Sequence, residues 1–301
     1  MNTIRKKIKT LIVWSLMNIQ LLNKMFSDET YLKIMYRLYL GRPLNLKNPK
    51  RFNEKIQWLK IYGRTPINVV MADKYAVKEY IKRLIGEQYV IPLLGVWDRP
   101  EDIDFSKLPE RFVIKCNHNS GIGLYICRDK SQLDEKAVRK GLRKGLRQDY
   151  YLASREKAYK IPRKIIAEEY MEDAETQELR DYKFFCFDGK PEILYVASGR
   201  KKVGESLSFD FFDMDYNHLP LTNGGLPNAK VTPAKPKCFE EMKRLASQLS
   251  KGLPHVRIDF YEVNGRVYFG EFTFSHEGGL STFQPDGWDY KLGEMISLPI
   301  D

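Results

Sequence analysis

The dipeptide Asn264-Gly265 constrains the fold of this chain more than any other feature of its sequence. It separates two runs, residues 255–262 and 267–274, in which apolar and polar side chains alternate. Asn-Gly readily supplies the positive φ angles of a two-residue turn, and alternation with a period of two is typical of strands. The chain is therefore predicted to end in an antiparallel hairpin.

The spacing of apolar residues divides the rest of the chain into a helical first part and a strand-rich second part. Helical spacing extends over residues 29–62 and 72–84, and Asp188-Gly189 predicts a second hairpin. The other predicted elements are strands at 89–97, 111–116, 124–127, 165–170 and 207–212 and helices at 131–147 and 239–249. This order predicts the α+β class, with two mixed lobes of sheet and helix.

The composition narrows the function. Of the 301 residues, 43% are hydrophobic and 30% are charged, which argues against disorder and against a membrane-spanning bundle. The net charge of +11 favours an anionic partner such as a nucleotide or an acidic glycan, and the alternative is a lysine-rich solvated surface. Nucleic acid is disfavoured because the basic residues are dispersed. The four cysteines lack C-x-x-C spacing, which favours reduced thiols in a cytoplasmic protein.

Residues 1–27 combine basic residues with a broken apolar run. No small-residue cleavage site follows, and polar residues interrupt the run well short of the roughly 20 residues that cross a bilayer. Two interpretations stay open. One is a basic amphipathic helix that makes peripheral contact with the inner face of the membrane. The other, which we favour, is an ordinary first helix docked on the core.

The predicted closing hairpin places charged residues on one of its faces. Side chains alternate along a strand, so Arg257, Asp259 and Tyr261 are expected to share one face of the first strand. On the partner strand, Phe269, Glu271 and Thr273 are expected to share a face. A register that pairs Asp259 with Glu271 would bring two carboxylates together, an arrangement that suits Mg²⁺. The alternative is an exposed strand face with a cross-strand Arg–Glu pair, and the hairpin alone favours this alternative.

A lysine and a small polar loop follow a second apolar strand. Lys115 ends the run 112–115, and residues 117–123 follow it with the sequence Asn-His-Asn-Ser-Gly-Ile-Gly. A cation and backbone N–H groups arranged in this way can bind phosphate oxygens. The sequence matches neither the Walker A motif nor the Rossmann fingerprint. A plain hairpin loop is the alternative.

A third piece, Glu168-Glu169-Tyr170, closes another apolar strand and could bind an adenine amine.

Taken together and in this order, these three pieces resemble the ATP-grasp superfamily. More narrowly, the chain resembles the TupA-like ATP-grasp family, which is found with genes for surface polysaccharides. The resemblance covers roughly residues 30 to 290, and it rests on the motifs at 51–60, 73–75, 112–121, 180–189 and 270–274. It implies two α+β lobes gripping ATP, preceded by a helical N-terminal segment. We expect four regions in order: a basic amphipathic N-terminal helix at 1–27, a helical N-terminal region at 28–88, the small lobe at 89–167 and the metal-binding lobe at 168–301.

The resemblance also implies roles for individual residues. Contacts to the ATP phosphates are expected from Lys74, Lys115, His118, Asn119, Ser120, Gly121, Gly123, Lys183 and Arg200. Adenine would be held by Glu168, Glu169 and Tyr170, and Mg²⁺ by Asp259, Glu271 and Thr273. Thr273 stands where many ATP-grasp enzymes have Asn. Arg257 would steady the transferred phosphoryl group, so that Arg257 and Lys115 are the expected catalytic residues.

The implied activity is an ATP-dependent carboxylate–amine ligase that forms an amide through an acyl phosphate. Its substrates would be a carboxylate-bearing surface glycan or glycan precursor and an amine or amino acid. His118, His276 and Glu277 are candidates to face the acceptor. One alternative is a glycosyltransferase that binds its metal through Asp213-Met-Asp215. Another is a non-catalytic ATP-binding protein of a glycan assembly complex. A phosphotransferase would use the same residues.

Overall fold

The computed structural model describes residues 13, 15, 23–175, 179–198 and 207–299. The helices of this part are α1 (Asp28–Leu40), α2 (Phe52–Tyr62), α3 (Pro66–Ala72), α4 (Ala76–Leu84), α5 (Glu135–Arg147), α6 (Tyr150–Ser154), α7 (Phe239–Leu249) and α8 (Gly287–Glu294). The strands are β1 (Leu93–Trp97), β2 (Phe112–Cys116), β3 (Leu124–Cys127), β4 (Ile165–Glu169), β5 (Asp181–Phe187), β6 (Lys190–Ser198), β7 (Ser208–Phe212), β8 (Thr222–Asn223), β9 (Val256–Val263), β10 (Arg266–Thr273) and β11 (Phe283–Gln284).

Two antiparallel sheets organise these elements. The first has four strands in the order β1-β4-β2-β3, and the second has five in the order β10-β9-β5-β6-β7. Strands β8 and β11 form a separate short pair. The predicted class, α+β, is confirmed. The predicted region boundaries remain predictions, and the one between 167 and 168 falls within β4.

Both predicted hairpins are confirmed, and each turn has the backbone that its sequence predicts. Asp188 and Gly189 have φ angles of 46° and 80° between β5 and β6, and Asn264 and Gly265 have 52° and 69° between β9 and β10. The register of the closing hairpin pairs Asp259 with Glu271, which is the arrangement that the sequence left open beside an exposed strand face. The two carboxylates therefore lie on neighbouring strands at the same level of the sheet.

One detail of the closing hairpin was predicted wrongly. The register shifts between Phe269 and Glu271, so that Phe269 pairs with Phe260 and Gly270 is the extra residue of a β-bulge. Phe269 consequently does not share a face with Glu271, and it packs in the hydrophobic core instead. Strict alternation fails here because a bulge inserts one residue that the sequence period does not reveal.

The helix predicted over 72–84 is broken after Ala72 and resumes at Ala76. At the break, the Asp73 carboxylate accepts hydrogen bonds from the Tyr75 backbone N–H at 2.8 Å and from Asn117 Nδ2 at 2.7 Å. An Asp side chain that bonds the backbone two residues on favours a turn over a continuous helix.

The strand predicted from residue 89 begins only at Leu93 because a 3₁₀ turn occupies Glu87–Tyr89.

The five-stranded sheet has a hydrophobic core on each face. Successive residues of β5 point in opposite directions, with Phe184 packing beside α7 and Phe185 beside α2 and α8. The four-stranded sheet packs against α5 through a third core, and α1 contributes to a fourth. Helices pack against both faces of the five-stranded sheet, and on the charged face of the closing hairpin Arg257 and Asp259 are buried.

No helix of the described ranges is long and apolar enough to cross a membrane. Both interpretations of residues 1–27 concern a segment of which only 13, 15 and 23 onward are described. The predicted membrane contact therefore lies almost entirely outside the described residues.

Helix α5 contains two glycines that are expected to respond oppositely to substitution. A Cβ at Gly145 would lie 2.7 Å from Cys116 Sγ and 2.8 Å from Gly123 Cα, whereas a Cβ at Gly141 meets no heavy atom within 4 Å. Gly145→Ala is expected to lower the free energy of unfolding by about 1–3 kcal/mol through overpacking. Gly141→Ala is expected to raise it by about 0.5–1 kcal/mol through helix propensity. Urea denaturation of both variants checks this, and equal effects would contradict it.

Candidate active site

A cleft of about 480 Å³ lies between the two sheets. Its walls come from β2, β4 and the loop after β2 on one side and from β5, β9 and β10 on the other. The predicted site residues that line it are Lys74, Lys115, Asn119, Ser120, Gly121, Glu168, Glu169, Tyr170, Lys183, Arg257 and Glu271. Residues from distant parts of the sequence therefore converge on one cavity.

On the four-stranded sheet, Glu168 of β4 holds two lysines. Its carboxylate forms ion pairs with Lys115 of β2 and with Lys78 of α4, the latter at 2.6 Å. Burial opposes ionisation of Glu168, but the charges of Lys115 and Lys78 outweigh it and lower the pKa to about 2. The Glu168 carboxylate is thus engaged with lysines. Its predicted contact with adenine stays a prediction.

A hydrogen-bonded link fixes Lys74 beside the end of β2. The Asn117 carbonyl accepts from the Lys74 backbone N–H at 3.2 Å, and Asn117 Nδ2 donates to Asp73. Asn117 is completely buried. The break between α3 and α4 is therefore tied to the strand that carries Lys115, and this tie brings Lys74 and Lys115 to the same cleft.

On the five-stranded sheet, three charged residues form a row across neighbouring strands. Asp259 of β9 pairs in register with Lys183 of β5 on one side and with Glu271 of β10 on the other. The Lys183 ammonium bonds the Asp259 carboxylate directly. Asp259 is 1% exposed, so its charge depends on these neighbours for compensation.

Arg257 joins this row by a fork of hydrogen bonds. It donates to both carboxylate oxygens of Asp259, at 2.7 and 2.8 Å, and to Thr273 Oγ1 at 2.9 Å. Its fourth hydrogen bond goes to His276 Nδ1, at 3.0 Å. His276 Nε2 lies 3.0 Å from Asn223 Oδ1, which assigns the proton to Nε2 and leaves Nδ1 to accept from Arg257. Burial and the Arg257 charge hold the pKa of His276 well below its usual value, so this imidazole is neutral.

Glu271 is the carboxylate of the row that faces the cleft. Its side chain is 36% exposed, and it lies 3.2 Å from Lys74 and 3.5 Å from Arg257. Although burial favours its neutral form, the charges of Lys74, Lys183 and Arg257 lower its pKa to about 2. Glu271 is thus ionised and accessible, and it joins the row on β9 to the lysine beside β2.

The loop after β2 divides into a part that lines the cleft and a part that packs. Asn119, Ser120 and Gly121 line the cleft. His118 is buried, with Nε2 3.2 Å from the Gln148 carbonyl, and it lies outside the lining. Gly123 also lies outside it, because it packs against α5 at Gly145. His118 and Gly123 thus pack against neighbouring parts of the protein, and their predicted contacts with phosphate remain predictions.

The end of β4 is bordered by apolar side chains. Glu169 and Tyr170 line the cleft beside a group of apolar residues: Ile91, Val113, Leu124 and Ile126. Tyr170 Oη donates to Glu172 at 2.7 Å. This part of the cleft can accept a flat apolar ring, with strand-end backbone groups beside it.

Asp213-Met-Asp215, the candidate metal motif of a glycosyltransferase, forms a turn outside the cleft lining. The Asp213 carboxylate accepts from the backbone N–H groups of Asp215 and Asn217 at 2.9 and 2.8 Å, and from Asn217 Nδ2 at 2.9 Å. Its oxygens therefore serve a local turn. These contacts disfavour the glycosyltransferase alternative.

The sequence did not predict every residue of the site, and one residue that it predicted to face the acceptor is buried instead. Lys78 stands four residues after Lys74, a helical spacing that could have indicated a shared face. Tyr195, which also lines the cleft, gave no sequence signal. His276 was proposed to face the acceptor, but it is buried behind Arg257. The predicted phosphate contact of Arg200 lies outside the described residues.

Comparison with protein families decides the identity of the chain. Residues 54–297 match the family described as TupA-like ATPgrasp, which is most of the chain. The chain belongs to the TupA-like ATP-grasp family. This confirms the family predicted from the sequence motifs, and it supports the prediction of an ATP-dependent ligase. No curated protein matches the sequence.

Similar solved structures include two D-alanine-D-alanine ligases and an ATP-grasp protein. The D-alanine-D-alanine ligase from Helicobacter pylori is 14% identical, with a TM-score of 0.43, over 82% of this chain and 70% of that one. The Bacillus anthracis D-alanine-D-alanine ligase complexed with ATP is 18% identical, with a TM-score of 0.44, over 75% and 63%. A RimK domain ATP-grasp protein from Sphaerobacter thermophilus is 11% identical, with a TM-score of 0.40, over 75% and 66%. This chain spans less than two thirds of the second and third of these structures. None of these similarities assigns a substrate.

Three residues of this ATP-grasp protein were predicted to bind metal, and their oxygens suit a hard cation. Of the three, Glu271 lines the cleft, whereas Asp259 is buried and both its oxygens accept hydrogen bonds from Arg257. Asp259, Glu271 and Thr273 offer only oxygen, and Thr273 Oγ1 lies 3.4 Å from Glu271 Oε1. Among the described residues, no group of three or more His, Cys, Asp or Glu side chains could hold a metal. A Mg²⁺ ion would therefore depend on nucleotide phosphates and water for its remaining ligands, as is usual for this ion.

The ion pairs of Glu168 predict a pH-dependent stability. Its pKa is about 2 in the folded protein and near 4.5 when unperturbed, so its stabilising effect is complete above pH 5 and is lost as the pH falls. Wild type is expected to exceed Glu168→Gln in free energy of unfolding by about 3 kcal/mol at pH 6–7. About 2 kcal/mol of this difference should disappear by pH 3. Denaturation of both proteins across this range checks the expectation, and a constant difference would contradict it.

Proposed function

We propose that this protein is an ATP-dependent carboxylate–amine ligase that forms an amide through an acyl phosphate. The observation that carries the proposal is the row Lys183–Asp259–Glu271 with Arg257, which faces Lys74 and Lys115 across one cleft. Such an arrangement surrounds a phosphate-sized space with cations and provides carboxylate oxygens beside it. Phosphoryl transfer depends mainly on such positioning and charge neutralisation.

ATP would lie with its ring at the end of β4 and its phosphates toward β10. The apolar side chains near Glu169 and Tyr170 would pack on adenine. Lys74, Lys115 and the backbone N–H groups of residues 119–121 would bind the phosphates. Glu168 would keep the Lys115 ammonium in place, since it pairs with that lysine and is almost completely buried.

The charged row on the five-stranded sheet would supply the chemistry at the γ-phosphate. A Mg²⁺ ion held by Glu271, Asp259 and Thr273 would neutralise phosphate charge. Arg257 would stabilise the transferred phosphoryl group, because its guanidinium lines the cleft and its orientation is fixed by Asp259 and His276.

The reaction has two steps. A substrate carboxylate oxygen attacks the γ-phosphorus, the bond to the β-phosphate oxygen breaks, and ADP leaves. An amine nitrogen then attacks the acyl carbon, inorganic phosphate departs with the electrons of the broken C–O bond, and the nitrogen loses a proton. Lysines and Arg257 reduce the repulsion between carboxylate and phosphate in the first step.

For the carboxylate, we propose a uronic acid or another acidic component of a bacterial surface polysaccharide or its precursor. The family assignment supports this choice, and so does the net charge of +11, which favours anionic substrates. The reaction would take place on the cytoplasmic side, where ATP is available. Contact of residues 1–27 with the inner face of the membrane stays a prediction.

A hydroxylamine trap tests the ligase proposal. Protein, Mg-ATP and glucuronate or galacturonate are incubated with hydroxylamine, which converts an acyl phosphate into a hydroxamate. We expect ADP and hydroxamate in equal amounts from wild type. Glu271→Gln should lower the rate at least a hundredfold, because it removes a charged ligand of the Mg²⁺ ion that would neutralise the phosphates.

Asp213→Asn is the control and should retain the wild-type rate, since Asp213 serves a turn. Release of ADP without hydroxamate would indicate a phosphotransferase. If neither product forms, the protein is not a ligase for these acids.

A further inference from the structure

Glu277 differs from most other acidic residues of the cleft. Glu168, Asp181 and Glu271 all pair with lysines. The side chain of Glu277 is exposed and lines the cleft, yet no hydrogen bond or ion pair joins it to another described residue. A carboxylate that stays unpaired in a cleft rich in cations is available to a cationic ligand.

The backbone at Glu277 is strained. Its φ angle is 45°, and Gly278 and Gly279 follow at 65° and 64°. A left-handed conformation costs a residue with a side chain about 1 kcal/mol or more, and glycine would adopt it without this cost. Strain of this kind persists where the surroundings impose it and tends to cluster at ligand-binding positions.

Helix α2 imposes this conformation through two buried polar side chains. Gln57 Nε2 donates to the Gly278 and Gly279 carbonyls at 3.0 and 2.7 Å, and Lys60 Nζ donates to the Gly278 carbonyl at 2.6 Å. Gln57 and Lys60 are at most 1% exposed. These hydrogen bonds fix the backbone that follows Glu277, so the position from which its side chain extends at the cleft wall is also fixed.

Glu277 lies at the end of the cleft where the phosphoryl group would be transferred. It follows His276, which bonds Arg257. Glu271 and Glu277 line the same cleft. Burial raises the pKa of Tyr150, and the charges of these two carboxylates raise it further. Glu169, which is also unpaired, lies instead on the four-stranded sheet near the apolar residues.

We propose that Glu277 determines specificity for the second substrate by binding its ammonium group, so that the protein uses an amine that is cationic at neutral pH. This inference rests on the proposed ligase function. An ammonium that approaches the acyl phosphate from this side meets one free carboxylate, while Arg257 and the lysines repel it elsewhere. Glu277 therefore guides the nitrogen toward the acyl phosphate from this side of the cleft. The bound ammonium gives one proton to water before its nitrogen attacks, and the nitrogen loses a second proton as phosphate leaves.

The test compares two kinds of nucleophile in wild type, Glu277→Gln and Glu294→Gln. With the uronate that gives hydroxamate, amide formation is measured with glycine and with L-lysine, whose amino groups are protonated at pH 7.5. Hydroxamate formation is measured with hydroxylamine, which is uncharged at this pH. Glu277→Gln is expected to raise KM for the cationic amine about tenfold to a hundredfold, the effect of one charge-assisted hydrogen bond. The KM of ATP and hydroxamate formation should change far less.

Glu294→Gln is the matched control, because Glu294 is an exposed carboxylate at the end of α8 and lies outside the cleft lining. An unchanged amine KM in Glu277→Gln would overturn the proposal, and so would an equal loss with hydroxylamine. If wild type forms no hydroxamate from either uronate, the proposed ligation of these acids fails and this inference fails with it. If hydroxamate forms but the amine KM does not respond to Glu277→Gln, this inference alone fails.

Discussion

The buried ion cluster around Asp259 is the interaction on which the rest of the site depends. Removing a carboxylate from water is costly unless partners compensate it, and Asp259 obtains them from Arg257 and Lys183. The antiparallel register of β5, β9 and β10 sets these partners side by side. Helices on both faces of the sheet keep the cluster away from bulk water. The same enclosure strengthens its electrostatic effect on anything bound in the cleft.

A second cluster performs the corresponding task on the opposite wall. Glu168 neutralises Lys78 and Lys115, and the bond between Asn117 and Asp73 sets Lys74 close to them. Each sheet thus holds its own charges in place before any ligand binds. The pair between Lys74 and Glu271 is the direct link between the two walls, and at 3.2 Å on partly exposed side chains it is the weaker kind of ion pair. A phosphate can therefore displace it at small cost.

Much of this could be predicted from the sequence, and the failures have physical causes. Asn264-Gly265 predicted the hairpin, because turn chemistry and a period of two are local properties. The pairing of Asp259 with Glu271 was only one register that the sequence left open, and it results from the shift at Gly270. The bulge at Gly270 could not be predicted, since the extra residue is decided by how Phe269 packs in the core. The roles of Lys78 and His276 depend on contacts between distant elements, which one sequence does not display.

Binding of Mg-ATP to the cleft is the central claim, and isothermal titration tests it most directly. Wild type, Lys115→Met and Asp213→Asn are each titrated with Mg-ATP and, separately, with a UDP-sugar and Mn²⁺. We predict that wild type and Asp213→Asn bind Mg-ATP alike and that Lys115→Met binds it about tenfold to a hundredfold more weakly, as expected for a lost charge-assisted contact. Binding of the UDP-sugar alone, or Mg-ATP binding that is indifferent to Lys115→Met, would contradict the account.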